Sequence, residues 1–357
     1  MSAEEIVIGL MALFALLGAA DRILGNRFGL GKEFEEGILA MGSLAMAMIG
    51  IITLAPVLAS LLRPVVVPIF GFLGADPAMF AGTIMACDMG AGALAQELTA
   101  DPEAALLGGV LTGSMLGATL VFTIPVAMGI LREEDRAAMA KGILCGIVTI
   151  PLGVLAGGLT AGFPIGMVLR NLIPIVLIAL LIALGLWRAE KAMVAGFALF
   201  GKLVIGMVTV GLAAAVVEGL TGFALIPGMA PIEEAFTTVG SIAIVLCVAF
   251  PLVFMITKLL RRPLTGAGKL LGINDAAAAG LVASLANSIA TFGMVKEMDA
   301  RVKVLNIAFA VSAAFVCGDH LGFTAGFAPE MLVPMIVGKL TGGISAVVVA
   351  VLLTRKD

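Results

Sequence analysis

The sequence predicts an all-α polytopic membrane protein of two inverted structural repeats, with about nine crossing helices and two re-entrant helical hairpins drawn from eleven apolar segments. Three observations carry that prediction: a composition suited to a bilayer, a repeat at nearly constant offset, and a lopsided distribution of loop charge. Of 357 residues, 61% are hydrophobic and 13% charged, with 45 Gly, no Tyr and one His, far from the make-up of a soluble domain. A hydrocarbon core of roughly 30 Å takes about 20 apolar residues per helix, and the chain supplies such stretches from end to end. The first stretch follows Glu4 and Glu5 rather than a basic region, and has no small-residue cleavage pattern before Asp21. It reads as a retained span rather than a signal peptide.

The apolar segments fall at about 5–20, 38–62, 78–96, 104–130, 142–161, 171–187, 197–217, 236–257, 276–295, 302–326 and 331–353. "LAMGSLAMAM" at 39–48 falls opposite "TTVGSIAIVL" at 237–246, and Glu35-Glu36 opposite Glu233-Glu234, both at an offset of 198. The same offset relates Leu73-Gly74 to Leu271-Gly272 and Ala81-Gly82 to Ala279-Gly280. A constant offset through polar landmarks argues for duplication over chance alignment of apolar sequence. The expected organisation is an N-terminal repeat at 1–161, a connecting helix and loop at 162–196, and a C-terminal repeat at 197–357.

If all eleven segments crossed, loop Lys and Arg would divide 11 against 9, contrary to the usual cytoplasmic excess. Segments 78–96 and 276–295 are the repeat-related pair richest in breakers and polar groups, with Asp88, Gly90 and Gly92 in one and Asn287, Ser288 and Gly293 in the other. Letting both enter and return on one side puts 18 basic residues on one face and two, Arg63 and Arg170, on the other. Each half then has four crossings and a hairpin, so the joining span inverts the second half. The reading places the N-terminus outside and the C-terminus inside a cytoplasmic membrane. Formal loop charge is then −8 outside and +6 inside, a field that attracts cations from outside. Paired broken helices near the midplane are a recurring transporter design.

Few ionisable groups lie at membrane depth: Asp88, Asp319, His320 and Lys339, joined by the polar Asn287 and Asn306. Each charge costs about 2.5–3.5 kcal/mol on insertion scales at a helix centre, so each needs a partner or water. Asp319 and Lys339 lie about eight residues before and ten after the turn near Ala328. At about 1.5 Å per residue they could meet on adjacent antiparallel helices, which makes an ion pair between them an expectation. His320 suits a proton path near neutral pH, or a structural hydrogen bond. Asp88 and Asn287 are near-equivalent positions of the two hairpins, where half-helix ends and unpaired carbonyls bind ions.

The four cysteines, Cys87, Cys145, Cys247 and Cys317, are scattered through apolar segments without metal-ligand spacing and read as small buried hydrophobes. No metal, cofactor, nucleic-acid partner or catalytic residue is expected. "GGVLTGSMLG" at 108–117 matches small-residue helix packing better than a nucleotide loop.

"AADRILGNRFGLGKEFEEGILAMGSLAMAMIGIITLAPVLA" (19–59), "GADPAMFAGTIMACDMGAGALAQEL" (74–98), "GILCGIVTIPLGVLAGGL" (142–159) and "AFAVSAAFVCGDHLGFTAGF" (308–327) closely resemble the EutH family, the ethanolamine permeases of bacterial ethanolamine utilisation. The resemblance extends through "PMIVGKLTGGISAV" (334–347) and covers essentially the whole chain, with "ACDMG" and "GDHLGF" its most distinctive stretches. The loops at 161–170 and 222–236 look shorter than in some relatives. The resemblance implies ethanolamine uptake across the cytoplasmic membrane, feeding a cobalamin-dependent lyase and a metabolic microcompartment.

Ethanolamine is mostly an ammonium ion at neutral pH. The residues then suggest that Asp88 or Asp319 pairs with the ammonium, while Asn287, His320 or freed carbonyls bond the hydroxyl and remaining N–H groups, with Lys339 available for an ion pair or coupling role. A passive channel, a membrane-embedded enzyme and a sensor are the competing readings. A homo-oligomer is expected by analogy of architecture with other hairpin-containing carriers.

Overall fold

The computed structural model describes residues 3–270 and 275–354, and every regular element within them is a helix. In chain order these are α1 (Ala3–Ile23), α2 (Leu30–Phe72), α3 (Ala78–Ile84), α4 (Ala91–Leu98), α5 (Pro102–Ile130), α6 (Glu133–Thr160), α7 (Ile165–Ala189), α8 (Lys191–Thr221), α9 (Ile232–Leu270), α10 (Asp275–Ala286), α11 (Ser288–Met294), α12 (Ala300–Ala313), α13 (Asp319–Phe327) and α14 (Pro329–Leu353). The repeat landmark Leu271-Gly272 and the C-terminal residues 355–357 lie outside the described residues.

Among the described residues, seven helices are long and apolar enough to cross a bilayer: α2, α5, α6, α7, α8, the Ile232–Met255 part of α9, and α14. Their outward faces are as apolar as their inward ones. Leu181, Trp187, Leu203 and Ile344 all project from the surface, as expected of helices that face hydrocarbon. α2 has 43 residues and so runs for roughly 65 Å, with Pro56, Pro64 and Pro68 in its second half. α7 and α8 form one helical run interrupted at Ala189 (φ −144°, ψ 47°).

Small residues let the helices approach. A Cβ on Gly153 of α6 would press on the Gly338 carbonyl of α14, and one on Gly50 of α2 would strike the Val208 carbonyl of α8. Hydroxyls then tie crossing helices: Thr149 donates to the Gly342 carbonyl and Thr119 to the Val311 carbonyl, each at 3.1 Å. In hydrocarbon, van der Waals packing and such bonds replace the hydrophobic effect between helices.

Two helix pairs fold back on themselves. α3 packs on α4, and Thr99 after α4 donates its hydroxyl to Asp76 Oδ2 before α3, at 2.8 Å. α10 packs on α11, where the Thr291 hydroxyl donates to the Gly280 carbonyl, eleven residues back, at 2.8 Å. On one continuous helix that separation would be about 16 Å.

Two segments expected to be plain spans are not. The 302–326 stretch breaks between Ala313 and Asp319, because Phe315 and Cys317 donate their backbone N–H groups to the Ser284 and Leu285 carbonyls at 3.1 and 2.7 Å. Those carbonyls belong to the last turn of α10 and have no partner within their own helix. The 104–130 stretch, in α5, stays continuous but winds as π-helix over Leu107–Gly117 and Thr119–Thr123. There the Thr112 hydroxyl reaches the Leu107 carbonyl five residues back, at 2.9 Å.

Candidate functional site

The site forms where two helix breaks meet. After α3 the backbone extends at Met85 (φ −137°, ψ 148°), turns through Cys87–Met89, and enters α4 through Gly90 at φ 96°. That left-handed conformation favours glycine, and a Cβ at Gly90 would also run into Ile51 of α2. The break packs on the glycine row that the sequence marked. A Cβ on Gly117 of α5 would strike the Met85 carbonyl, and one on Gly113 would crowd the Cys87 backbone. "GGVLTGSMLG" is therefore the bed on which this break lies, and it presses Cys87 out of all contact with solvent.

The second break, Ala314–Gly318, carries Phe315 in the left-handed region at φ 64° and ends with Gly318 close against the Ala286 carbonyl. Asp319 and His320 then open α13. A carboxylate in a first helical turn is favoured by the unpaired N–H groups and positive end of the helix dipole.

Between the breaks is a cavity of about 280 Å³ whose lining includes Asp88, Asp319, His320, Ser43, Phe122 and Phe315. His320 Nε2 stands 3.6 Å from Asp88 Oδ1. Asp88 Oδ1 and His320 Nδ1 are both buried without a hydrogen-bond partner. Buried polar atoms are nearly always paired, so these two are set up for something other than each other. The Phe315 ring lies 5.1 Å from the His320 ring and 5.3 Å from that of Phe122, giving the cavity an aromatic wall.

Asp319 also lines a second cavity of about 380 Å³, together with Asn287, Glu33, Cys317 and Phe254. Asn287 caps α11, its Oδ1 accepting from the Ile289 N–H at 2.7 Å, which leaves its amide donors available. Asp88 and Asn287 therefore do not share a chamber: Asp88 lines one cavity and Asn287 the other, while Asp319 lines both.

Lys339 corrects the expected ion pair. It is 1% exposed, and its ammonium donates to the Ser114 carbonyl at 2.5 Å, while no ion pair joins it to Asp319 among the described residues. The reason is helix packing. The close Gly338–Gly153 contact seats α14 on α6 and beside the π-wound part of α5, which brings the lysine to that backbone instead.

The fold also assembles a group that sequence spacing did not reveal. Ligand atoms of Cys87, Asp88 and His320 all lie within 4.8 Å of one another. Ser43, Glu33, Cys87 and Phe315 are cavity or cluster residues that no sequence motif marks. Only Cys87, adjacent to Asp88, carried any local signal.

A family model described as "Ethanolamine utilisation protein, EutH" matches residues 3–353. "Probable ethanolamine permease EutH" of Listeria monocytogenes serotype 1/2a (strain 10403S) is 59% identical over 356 residues, covering 100% of this chain and 95% of that protein. "Uncharacterized protein YxeR" of Bacillus subtilis (strain 168) is 51% identical, covering 99% of this chain and 96% of that protein. "Probable ethanolamine permease EutH" of Salmonella typhimurium (strain LT2) is 48% identical, covering 100% and 97%. No solved structure matches the chain.

Proposed function

The chain belongs to the EutH family, and on that premise we propose that it transports ethanolamine, as the ammonium ion, across the cytoplasmic membrane by alternating access. Relatives of similar length are named as probable permeases of this amine, which supports a transporter and not an enzyme. The observation that carries the site assignment is the pair of carboxylates, Asp88 and Asp319, lining one cavity with an imidazole and two phenyl rings.

An isolated carboxylate in a low-dielectric interior costs several kcal/mol, roughly, unless a counter-charge relieves it. Ethanolammonium supplies that charge on a compact head with three N–H donors. In this reading Asp88 and Asp319 accept from the ammonium, and His320 bonds the hydroxyl. The phenyl faces of Phe122 and Phe315 add cation–π attraction. Because Asp319 also lines the Asn287 cavity, it is the group that passes the cation onward, with the Asn287 amide as the next donor to the hydroxyl oxygen.

The inverted-repeat reading has support at the level of elements. At an offset near 198, α1 to α6 correspond in order to α8, α9, α10, α11, α12 with α13, and α14, leaving α7 as the joining helix. The fold-back of α3 on α4 and of α10 on α11 supports two re-entrant hairpins and nine crossings. The loop-charge asymmetry favours the same reading with the N-terminus outside.

Counterflow in proteoliposomes tests the mechanism. An alternating-access carrier loaded with unlabelled ethanolamine accelerates entry of the labelled amine and accumulates it transiently. Linear, non-stimulated entry would identify a passive channel, and a chemical product after incubation would identify an enzyme.

A further inference from the structure

Cys87 and Asp88 sit at the break after α3, and His320 in the first turn of α13, yet one ligand atom from each falls within 4.8 Å of the others. The His320 Nε2 to Asp88 Oδ1 distance is 3.6 Å. Donor atoms on a tetrahedral zinc ion, roughly 2.0–2.3 Å from the metal, stand about 3.3–3.7 Å apart. Closing the set from a widest separation of 4.8 Å therefore asks for a shift of up to about 1.5 Å. Cys87 is fully buried and the His320 side chain is 3% exposed. Asp88 Oδ1 has no hydrogen-bond partner, so a metal would satisfy an atom that the protein leaves bare.

We propose that Cys87, Asp88 and His320 form a three-ligand site for a thiophilic divalent cation, Zn²⁺ in type, whose occupancy excludes the ammonium substrate. Thiolate, imidazole and carboxylate together suit zinc, while hard cations such as Mg²⁺ and Ca²⁺ prefer oxygen alone. Binding takes one proton from the Cys87 thiol and releases it to solvent, forming the sulfur–metal bond. Thiolate and carboxylate then neutralise the dication inside the membrane. Asp319 lines the same cavity as Asp88 and His320 and adds a further negative charge beside the cluster. The cavity beside Asp88 leaves the fourth metal position open to water. The metal site rests on the cluster geometry alone, and only the exclusion of substrate rests on the proposed transport site.

Two measurements separate these parts. Purified full-length protein titrated with Co²⁺, a spectroscopic stand-in for zinc, is expected to develop a thiolate-to-cobalt charge-transfer band that Zn²⁺ abolishes. Cys87→Ser is expected to lose the band, and His320→Gln to weaken zinc affinity. Losing only an outer-shell partner costs about 10–100-fold, so loss of a ligand is expected to cost at least roughly that much. No band in the wild-type protein, or the same band in Cys87→Ser, overturns the site. Zn²⁺ is expected to inhibit ethanolamine uptake competitively in the wild type, and Cys87→Ser to take up the amine normally while resisting that inhibition. Zinc binding without competition would keep the metal site and reject its overlap with substrate.

Discussion

His320 Nε2 faces Asp88 Oδ1 at 3.6 Å across the gap between the break after α3 and the first turn of α13. The distance exceeds a hydrogen bond, and the carboxylate oxygen has no other partner. Both groups, with Asp319, line the adjoining cavity of about 280 Å³, so the space for a small cation lies beside the pair.

Removing either acid of the cavity, Asp88 or Asp319, is the sharpest test of cation binding there. Asp88→Asn and Asp319→Asn keep side-chain volume and delete the charge. Each is expected to lower ethanolamine uptake by at least about tenfold, equivalent to about 1.4 kcal/mol of lost cation binding. Uptake is to be compared at matched surface expression. Normal transport by both variants would mean that neither carboxylate holds the ammonium.

The Gly90 turn is expected to tolerate no side chain. A left-handed conformation costs a non-glycine residue about 1–2 kcal/mol, and the alanine Cβ would collide with Ile51 as well. Gly90→Ala is expected to lower the thermal midpoint in detergent and impair uptake. Adding Ile51→Ala removes the nearest clashing atom but leaves the Ile51 Cβ 2.8 Å from the new methyl and the backbone strain in place, so recovery is expected to be partial. Full recovery would assign the whole effect to packing.

Away from the site, Lys303 pairs with the buried Asp135 at 2.5 Å. Breaking a buried pair from one side typically costs about 3–5 kcal/mol, because the other charge is left uncompensated. Lys303→Met is therefore expected to destabilise strongly, and Lys303→Met with Asp135→Leu to be less damaging than the single change. Thermal unfolding of the two variants decides this, and a double variant worse than the single would refute the pairing argument.

The α3–α4 fold-back has a topological consequence. Cysteines at Leu73 and Ala100, flanking the pair in a background without the native cysteines, are expected to react with a membrane-impermeant thiol reagent from the same, outer side. Labelling from opposite faces would show that the segment crosses.

Composition and periodicity made the helical membrane character legible, and insertion cost singled out Asp88, Asp319, His320 and Lys339 without any structure. That cost is paid residue by residue, so it can be read from local sequence. Which of these groups meet is a different matter, because it depends on how helices cross. The glycine row of α5 holds the break that carries Cys87 and Asp88, and pairing of 314–318 with the end of α10 sets where α13 begins. Together these bring His320 to Asp88. The same kind of packing took Lys339 to the Ser114 carbonyl rather than to Asp319. Sequence alone determined that buried charge had to be accommodated. Close backbone contacts between remote segments, which leave no periodic signature, decided which partner each charge received.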